Sequence, residues 1–241
     1  MRYSAYFFLL LFFCSFIMNA QTTVQTDTFS TKKGTLQISF IGHGSLMLNY
    51  HGTIIHIDPW SKLTDYSKLP KADIILITHH HFDHLDSAAI AQISKTGTSL
   101  IVTHDVFDIL KKGIIMKNGD KKAVKSVGIE AVPAYNTTAD RDKYHPKGRD
   151  NGYILTLGGK RVYIAGDTED TPEMDTLKNI DIAFLPMNQP YTMLPEQVAA
   201  ATNHFNPKVL YPYHYGETDV QLLQKLLAGN KTTELRIRAM K

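Results

Sequence analysis

The strongest constraint on how this chain can fold is an apolar run that ends in a cluster of titratable side chains. Ile74-Ile75-Leu76-Ile77 is aliphatic at every position, and Thr78–Asp86 then reads THHHFDHLD. A strand with one wet face alternates apolar and polar residues, whereas an unbroken run belongs to a strand buried on both faces. Such a strand delivers four of the 11 histidines and two carboxylates to the loop at its end. Packing gives no reason for that placement, and loops held by a rigid scaffold are where chemistry is usually presented.

The surrounding pattern supplies the scaffold. Leu36–Ile41, Ser45–Tyr50 and Thr53–Ile57 read as consecutive strands, joined by Gly42-His43-Gly44 and by the tight His51-Gly52 turn. Ile74–Thr78 is the next strand, followed by a helix over Ser87–Lys95, a strand over Ser99–Thr103 and a short helix over Val106–Lys112. The second half has the same logic without sequence repetition. Strands are expected at Gly128–Tyr135, Tyr153–Leu157, Val162–Ala165, Ile182–Met187, Val209–Tyr213 and Leu235–Arg238. Helices are expected at Glu173–Lys178, Pro195–Asn203 and Val220–Leu227, the second begun by a proline in its first turn. Strand clusters alternating with helices indicate an α/β protein with two sheets, each covered by helices on one face.

The chain has 241 residues, which suits one sizeable domain. Its net charge of +3 comes with basic residues spread in pairs such as Lys111-Lys112 and Lys121-Lys122, so no nucleic-acid partner is expected. Arg2 precedes the apolar stretch Tyr6–Met18, which is too short to span a bilayer and is followed by Asn19-Ala20-Gln21. Residues 1–20 therefore read as a signal peptide cut after Ala20, with an uncleaved anchor as the alternative, and no stable membrane span is expected after cleavage. Export to the periplasm or cell envelope is the expected location. Residues 21–34, rich in Thr and Gln, read as a flexible lead, and 35–241 as the domain. The single cysteine, Cys14, lies in the signal segment, so disulfides and thiolate ligands are excluded from the mature chain.

A metal in such a protein must be held by imidazole and carboxylate. In extended backbone His79 and His81 project to one side and His80 to the other. The turn before Ser87 can return Asp83 and His84 to the same space. These donors suit a borderline cation such as zinc. Four ligands in one loop point to two ions, because a catalytic tetrahedral ion keeps one position for water. A surface histidine patch is the plain alternative, but H-x-H-x-D-H is constrained at four positions and follows a buried strand.

With that motif, Ile41-Gly42-His43-Gly44-Ser45, Ile57-Asp58-Pro59, Ala165-Gly166-Asp167-Thr168 and Tyr211-Pro212-Tyr213-His214-Tyr215, the chain resembles the metallo-β-lactamase superfamily. The branch it is most similar to contains ascorbate-6-phosphate lactonase-like proteins and uncharacterised metal-dependent hydrolases. The resemblance implies a four-layer αββα sandwich with pseudo-symmetric halves and the metals at one edge between the sheets. It implies that His79 and His81 hold the first metal, that Asp83, His84 and His214 hold the second, and that Asp167 bridges. Relatives carry a further histidine after the strand that corresponds to Gly128–Tyr135. Pro133-Ala134-Tyr135-Asn136 offers none, so His145, in Lys143-Tyr144-His145-Pro146-Lys147-Gly148, is assigned as that ligand. Asp58 is placed behind a ligating imidazole, accepting its free N–H. His43 either lines the pocket or caps a hairpin turn.

The implied activity is hydrolysis of a small ester, lactone or phosphodiester by a metal-bound hydroxide. Two divalent ions, zinc in preference to manganese or iron, would ionise the water and polarise the attacked group. Asp83 and Asp167 are the catalytic carboxylates, Asp83 as a group that could steer the nucleophile or receive a proton. An anionic small-molecule substrate is expected, and Arg141, Lys143, Lys147 and Arg149 around His145 make a phosphate attractive. The alternatives are a non-catalytic metal-dependent binding protein of the envelope and a di-iron oxidoreductase of the same fold.

Overall fold

The computed structural model describes Met1 and residues 24–241. The remainder of the expected signal segment, Cys14 included, lies outside the described residues. No helix among the described residues is long and apolar enough to cross a membrane.

Two seven-stranded sheets form the molecule. The first holds β1 (Gln25–Thr31), β2 (Gly34–Gly42), β3 (Ser45–Tyr50), β4 (Thr53–Ile57), β5 (Ile74–Leu76), β6 (Ser99–Val102) and β7 (Ile114–Ile115) in chain order. The second holds β8 (Lys121–Val124), β9 (Val127–Ala134), β10 (Asp150–Leu157), β11 (Lys160–Ile164), β12 (Ile182–Pro186), β13 (Val209–Tyr213) and β14 (Glu234–Leu235), also in chain order. Each sheet begins as a four-stranded antiparallel meander and continues in parallel. The parallel crossovers carry α1 (Ser87–Ile93) and α2 (His104–Leu110) in the first half. They carry α3 (Pro172–Asp175), α4 (Pro195–Phe205) and α5 (Val220–Leu226) in the second. This is the expected αββα sandwich, and the shared order of antiparallel then parallel pairing is its pseudo-symmetry.

The run at β5 is buried on both sides. Ile74 and Leu76 join the large core between the sheets, while Ile75 and Ile77 pack with Ile90 and Ile93 of α1 in a smaller core outside the first sheet. Asp86 caps α1, its carboxylate accepting from the amides of Ala88 and Ala89. Of the two carboxylates in the histidine-rich stretch, this one serves the helix.

Strand direction decides where the loops go. Antiparallel pairing of β2 with β3 and of β3 with β4 makes β2 parallel to β4, and β4 is parallel to β5. In the other sheet β9, β11 and β13 run one way for the same reason. The carboxyl ends of these strands therefore share one edge in each sheet, where open α/β sheets place their sites. The two edges are stitched together. Asn151 donates its amide to Thr78 O at 3.1 Å, and His214 donates its amide to His43 O at 3.0 Å. The Tyr153 hydroxyl donates to Ile77 O at 3.0 Å.

The lead expected to be flexible is mostly strand. Residues 25–31 pair with β2 over the full length of β1. Their side chains alternate between exposed and half-buried positions, so the Thr-rich sequence carries little hydrophobic signal. The last strand is also displaced, to Glu234–Leu235, and beyond it Arg236 and Arg238 turn their side chains to Asp27 of β1. Arg238 grips both oxygens of Asp27, at 2.8 and 2.6 Å, and the Tyr211 hydroxyl donates to the same carboxylate. Burial raises the Asp27 pKa, but Arg238, Tyr211 and Arg236 outweigh it and hold the carboxyl below its ordinary value.

This clasp joins the first described strand to the C-terminal segment, so Asp27→Asn should lower the melting temperature. Loss of hydrogen bonds to charged groups at about 2 kcal/mol corresponds to roughly 4–8 °C for a domain of this size. A carboxyl with a depressed folded-state pKa contributes stability above its unfolded value of about 3.9 and loses it as pH falls through the folded value. Melts followed by circular dichroism should therefore separate native and variant protein at neutral pH and converge in strong acid. Equal melting temperatures at neutral pH would show that the clasp is not stabilising.

Candidate metal centre

Every residue at the shared edge follows the carboxyl end of a strand. His43 follows β2, Asp58 follows β4, His79, His81, Asp83 and His84 follow β5, His145 lies in the loop after β9, Asp167 follows β11 and His214 follows β13. The structure gathers them into two groups whose donor atoms lie within 4.8 Å of one another: His79, His81, His145 and Asp167; and His43, Asp83, His84 and His214. His80 belongs to neither, its Nδ1 lying 3.9 Å from Asp105. Three other histidines have partners away from these groups. His56 Nε2 bonds Pro70 O at 3.0 Å, His104 pairs with Asp108, and His204 pairs with Asp175.

Asp167 faces both groups. Its Oδ1 is 3.5 Å from His84 Nε2, while its Oδ2 is 3.5 Å from His145 Nε2 and 3.4 Å from His214 Nε2. The Asp83 Oδ2 lies 3.5 Å from His214 Nε2. Donors around a tetrahedral ion with bonds of about 2.1 Å stand roughly 3.4 Å apart, so these separations fit a shared coordination sphere better than direct hydrogen bonds. The polar inventory agrees. His84 Nε2, both ring nitrogens of His145 and of His214, and Asp167 Oδ1 are buried without a hydrogen-bond partner. Folded proteins leave few such atoms unpaired, and a cluster of them fits cations.

His145 is the residue whose place sequence spacing left open. Its ring centroid lies 4.9 Å from that of His81 and 5.2 Å from that of His79. A tied loop carries it. Asn136 donates its amide to His145 O at 2.9 Å, and its side chain donates to Tyr191 O at 2.8 Å. Arg149 donates to Tyr144 O at 2.7 Å and grips Asp150 with two bonds of 2.8 Å.

Asp58 lies behind His84. It is fully buried and accepts from the Thr78 amide at 2.8 Å, the Thr78 hydroxyl at 2.6 Å and His84 Nδ1 at 2.9 Å. That last bond fixes the tautomer, leaving the His84 Nε2 lone pair toward the centre. His43 does more than line a pocket or cap a turn. It occupies the turn with φ 50°, and its Nε2 lies 3.0 Å from Asp83 Oδ2, orienting that carboxylate. The motif offered no signal for this contact, because a histidine between two glycines is equally consistent with a plain turn. Gly44 is needed beside it, since a Cβ there would sit 2.8 Å from His84 Cε1. Gly166 is needed for the approach of the sheets. It has φ 67°, and a Cβ would stand 2.9 Å from Asn151 O.

Protonation follows from the surroundings. Burial, reinforced by neighbouring imidazoles, pushes His79 well below its ordinary value. Burial likewise takes His81 and His145 down to about 4 despite Asp167. These rings are neutral near pH 7 and keep lone pairs for a cation. Burial also lowers His84, but Asp167, Asp58 and Asp83 together lift it to about 10. The anionic field that would hold a proton on His84 is the field that attracts a dication. Burial raises Asp83, and the nearby His214, His43 and His84 imidazoles overcome it, holding the carboxyl far below the usual range.

The basic residues expected to greet a phosphate are engaged elsewhere. Arg141 pairs with Glu169 at 3.0 Å, Lys147 with Glu173 at 3.0 Å, and Arg149 with Asp150. Lys143 lies over the Tyr144 ring, 5.3 Å from its centroid. The charges brace the loop that carries His145, and the support they lent to a phosphate substrate is withdrawn.

A two-sheet sandwich with paired histidine and carboxylate groups at its common edge is the metallo-β-lactamase architecture. The chain belongs to the beta-lactamase superfamily, whose domain matches residues 37–214. Within it, a UPF0173 metal-dependent hydrolase from Ignicoccus hospitalis is 33% identical over 200 residues, covering 75% of this chain and 83% of that protein. Among solved structures, a protein from Parabacteroides distasonis assigned as a metal-dependent hydrolase is 56% identical with a TM-score of 0.89, covering 91% of this chain and 100% of that one. Igni18, a metallo hydrolase from Ignicoccus hospitalis, is 28% identical with a TM-score of 0.71, covering 84% and 94%.

If Asp58 orients His84 as the geometry indicates, Asp58→Asn should weaken metal binding by roughly ten- to a hundredfold while the protein remains folded. Competition with a fluorescent chelator reads this out. An unchanged affinity would show that the bond does not tune the site.

Proposed function

We propose that this protein is a binuclear metal-dependent hydrolase of a small ester, lactone or phosphodiester. The observation that carries the reading is the position of Asp167, whose two oxygens face imidazoles of both groups. In this reading His79, His81 and His145 hold one ion, Asp83, His84 and His214 hold the other, and Asp167 lies between them. An all nitrogen and oxygen donor set suits zinc, with manganese or iron as competitors. When bound, such ions supply Lewis acidity and bring the pKa of water toward neutrality.

The protein's own groups then orient and exclude. Asp58 and Thr78 fix His84 and His79 from behind, the Thr78 hydroxyl lying 3.0 Å from His79 Nδ1. His43 holds Asp83 Oδ2. The Asp83 side chain is 17% exposed against 4% for Asp167, so Asp83 is the more open of the two carboxylates lining the cavity and stays anionic, able to accept a hydrogen bond there. The cavity beside the groups has a volume of about 500 Å³, suited to a small molecule. The Tyr6–Met18 apolar run supports export to the periplasm or envelope.

Elemental analysis of purified protein should find two equivalents of a transition metal per chain. Metal-loaded protein should hydrolyse members of a panel containing p-nitrophenyl esters, lactones and bis(p-nitrophenyl) phosphate. Asp167→Ala should lose metal and at least a hundredfold of the rate, since one buried carboxylate serves both groups. Turnover that survives this substitution intact would place the activity elsewhere.

A further inference from the structure

The cavity beside the metal groups carries chemistry that they do not use. Besides those groups it is lined, among the described residues, by Phe82, Tyr144, Tyr191, Asn188 and His80, with no lysine or arginine. Two aromatic pairs frame it. Tyr144 meets Tyr191 edge to face with centroids 5.0 Å apart, and Phe82 meets Trp60 in the same manner at 6.0 Å. Phe82 is 71% exposed and Tyr191 44%, which leaves large apolar surface in water beside a site. Among the described residues no hydrogen-bond partner is found for the Asn188 side-chain amide, although the Asn188 backbone is held by Thr192 and Tyr191.

The charged neighbours do not alter that character. Arg141, Lys147 and Arg149 are paired with carboxylates. Lys62 and Lys143 lie over aromatic faces, Lys62 at 5.3 Å from the Trp60 centroid and 5.7 Å from that of Phe82, and neither lines the cavity. A phosphodiester or phosphorylated lactone would bring an anion with no lysine or arginine in the lining to receive it. A flat apolar substituent would instead cover the exposed rings, and an amide is a suitable donor to one neutral carbonyl oxygen.

Resting on the hydrolase reading above, we infer that the substrate is an uncharged carboxylic ester or lactone bearing an aromatic group next to the scissile carbonyl. Its ring packs against Tyr191 and Tyr144 on one wall and Phe82 on the other, and Asn188 donates to the acyl part. The reaction balances as simple hydrolysis. The oxygen of water bonds to the carbonyl carbon, the acyl–oxygen bond breaks, and a proton from that water passes to the departing oxygen. A carboxylic acid and an alcohol, or the hydroxy acid of an opened lactone, result.

The test compares metal-loaded protein on p-nitrophenyl phenylacetate, p-nitrophenyl acetate and bis(p-nitrophenyl) phosphate, which share one chromophore. The phenylacetate should exceed both others in kcat/KM by about tenfold, the scale of one aromatic contact set. Tyr191→Ala should cut the phenylacetate-to-acetate ratio several-fold, and Tyr191→Phe should keep it. A binding readout independent of turnover comes from Trp60, the single tryptophan of the chain. Its fluorescence should respond saturably to phenylacetamide, and less so in Tyr191→Ala.

Asp167-dependent turnover that favours the diester, or a phenylacetate-to-acetate ratio near one, overturns this inference and leaves the hydrolase reading standing. Absence of turnover on every substrate with less than one metal per chain overturns the hydrolase reading itself. If turnover is absent but phenylacetamide saturates the fluorescence and Tyr191→Ala weakens it, the aromatic subsite is supported. Without saturation it is refuted.

Discussion

A buried carboxylate is costly unless cations or hydrogen-bond donors meet it. Asp167 is 3% exposed, and among the described residues its charged-type partners are all histidines, His79, His84, His145 and His214. Three of these have a ring nitrogen buried without a partner, so neither side of the interaction is satisfied by protein alone. A cation between these groups would satisfy both sides at once. The two sheets, the parallel direction of the strands that bear these residues, and the stitching of Thr78 to Asn151 and of His43 to His214 hold the three loops after β5, β9 and β13 around that one carboxylate.

The backbone pays locally for this convergence. His43, Asp58 and His214 have φ values of 50°, 44° and 45°, in the left-handed region that side chains other than glycine seldom adopt. Each sits immediately beyond a strand and touches the metal groups or supports them. Strain of this kind persists where surrounding bonds over-determine a conformation, and it concentrates at functional sites. For Asp58 the surrounding bonds are those from Thr78 and His84, and for His214 the bond to His43 O.

Where reading the sequence fell short, the elements share one property. The strands not anticipated, β1, β7 and β8, and the displaced β14 are the four edge strands of the two sheets. An edge strand is ordered by pairing on one side and need not bury alternate residues, so sequences such as Gln25–Thr31 or Lys121–Val124 lack the apolar rhythm of an inner strand. Inner strands announced themselves, and Ser45–Tyr50, Thr53–Ile57 and Val209–Tyr213 lie where hydrophobic patterning puts them. At the site, the H-x-H-x-D-H motif was legible because strand alternation and a short turn constrain it locally. Asp167 and His214 were legible through their motifs and their position after strands.

The sequence by itself determined which residue types could bind metal, that no thiolate would take part in the domain, and that most of the candidate donors follow buried strands. Those properties depend on neighbours within a few positions along the chain. Only the tertiary structure decided that His145 joins His79 and His81, that His43 reaches Asp83, that the arginines near His145 are spent on carboxylates, and that aromatic rings rather than cations face the cavity. These are contacts between loops far apart in the chain, and their geometry is set by how two twisted sheets pack, which no local pattern encodes.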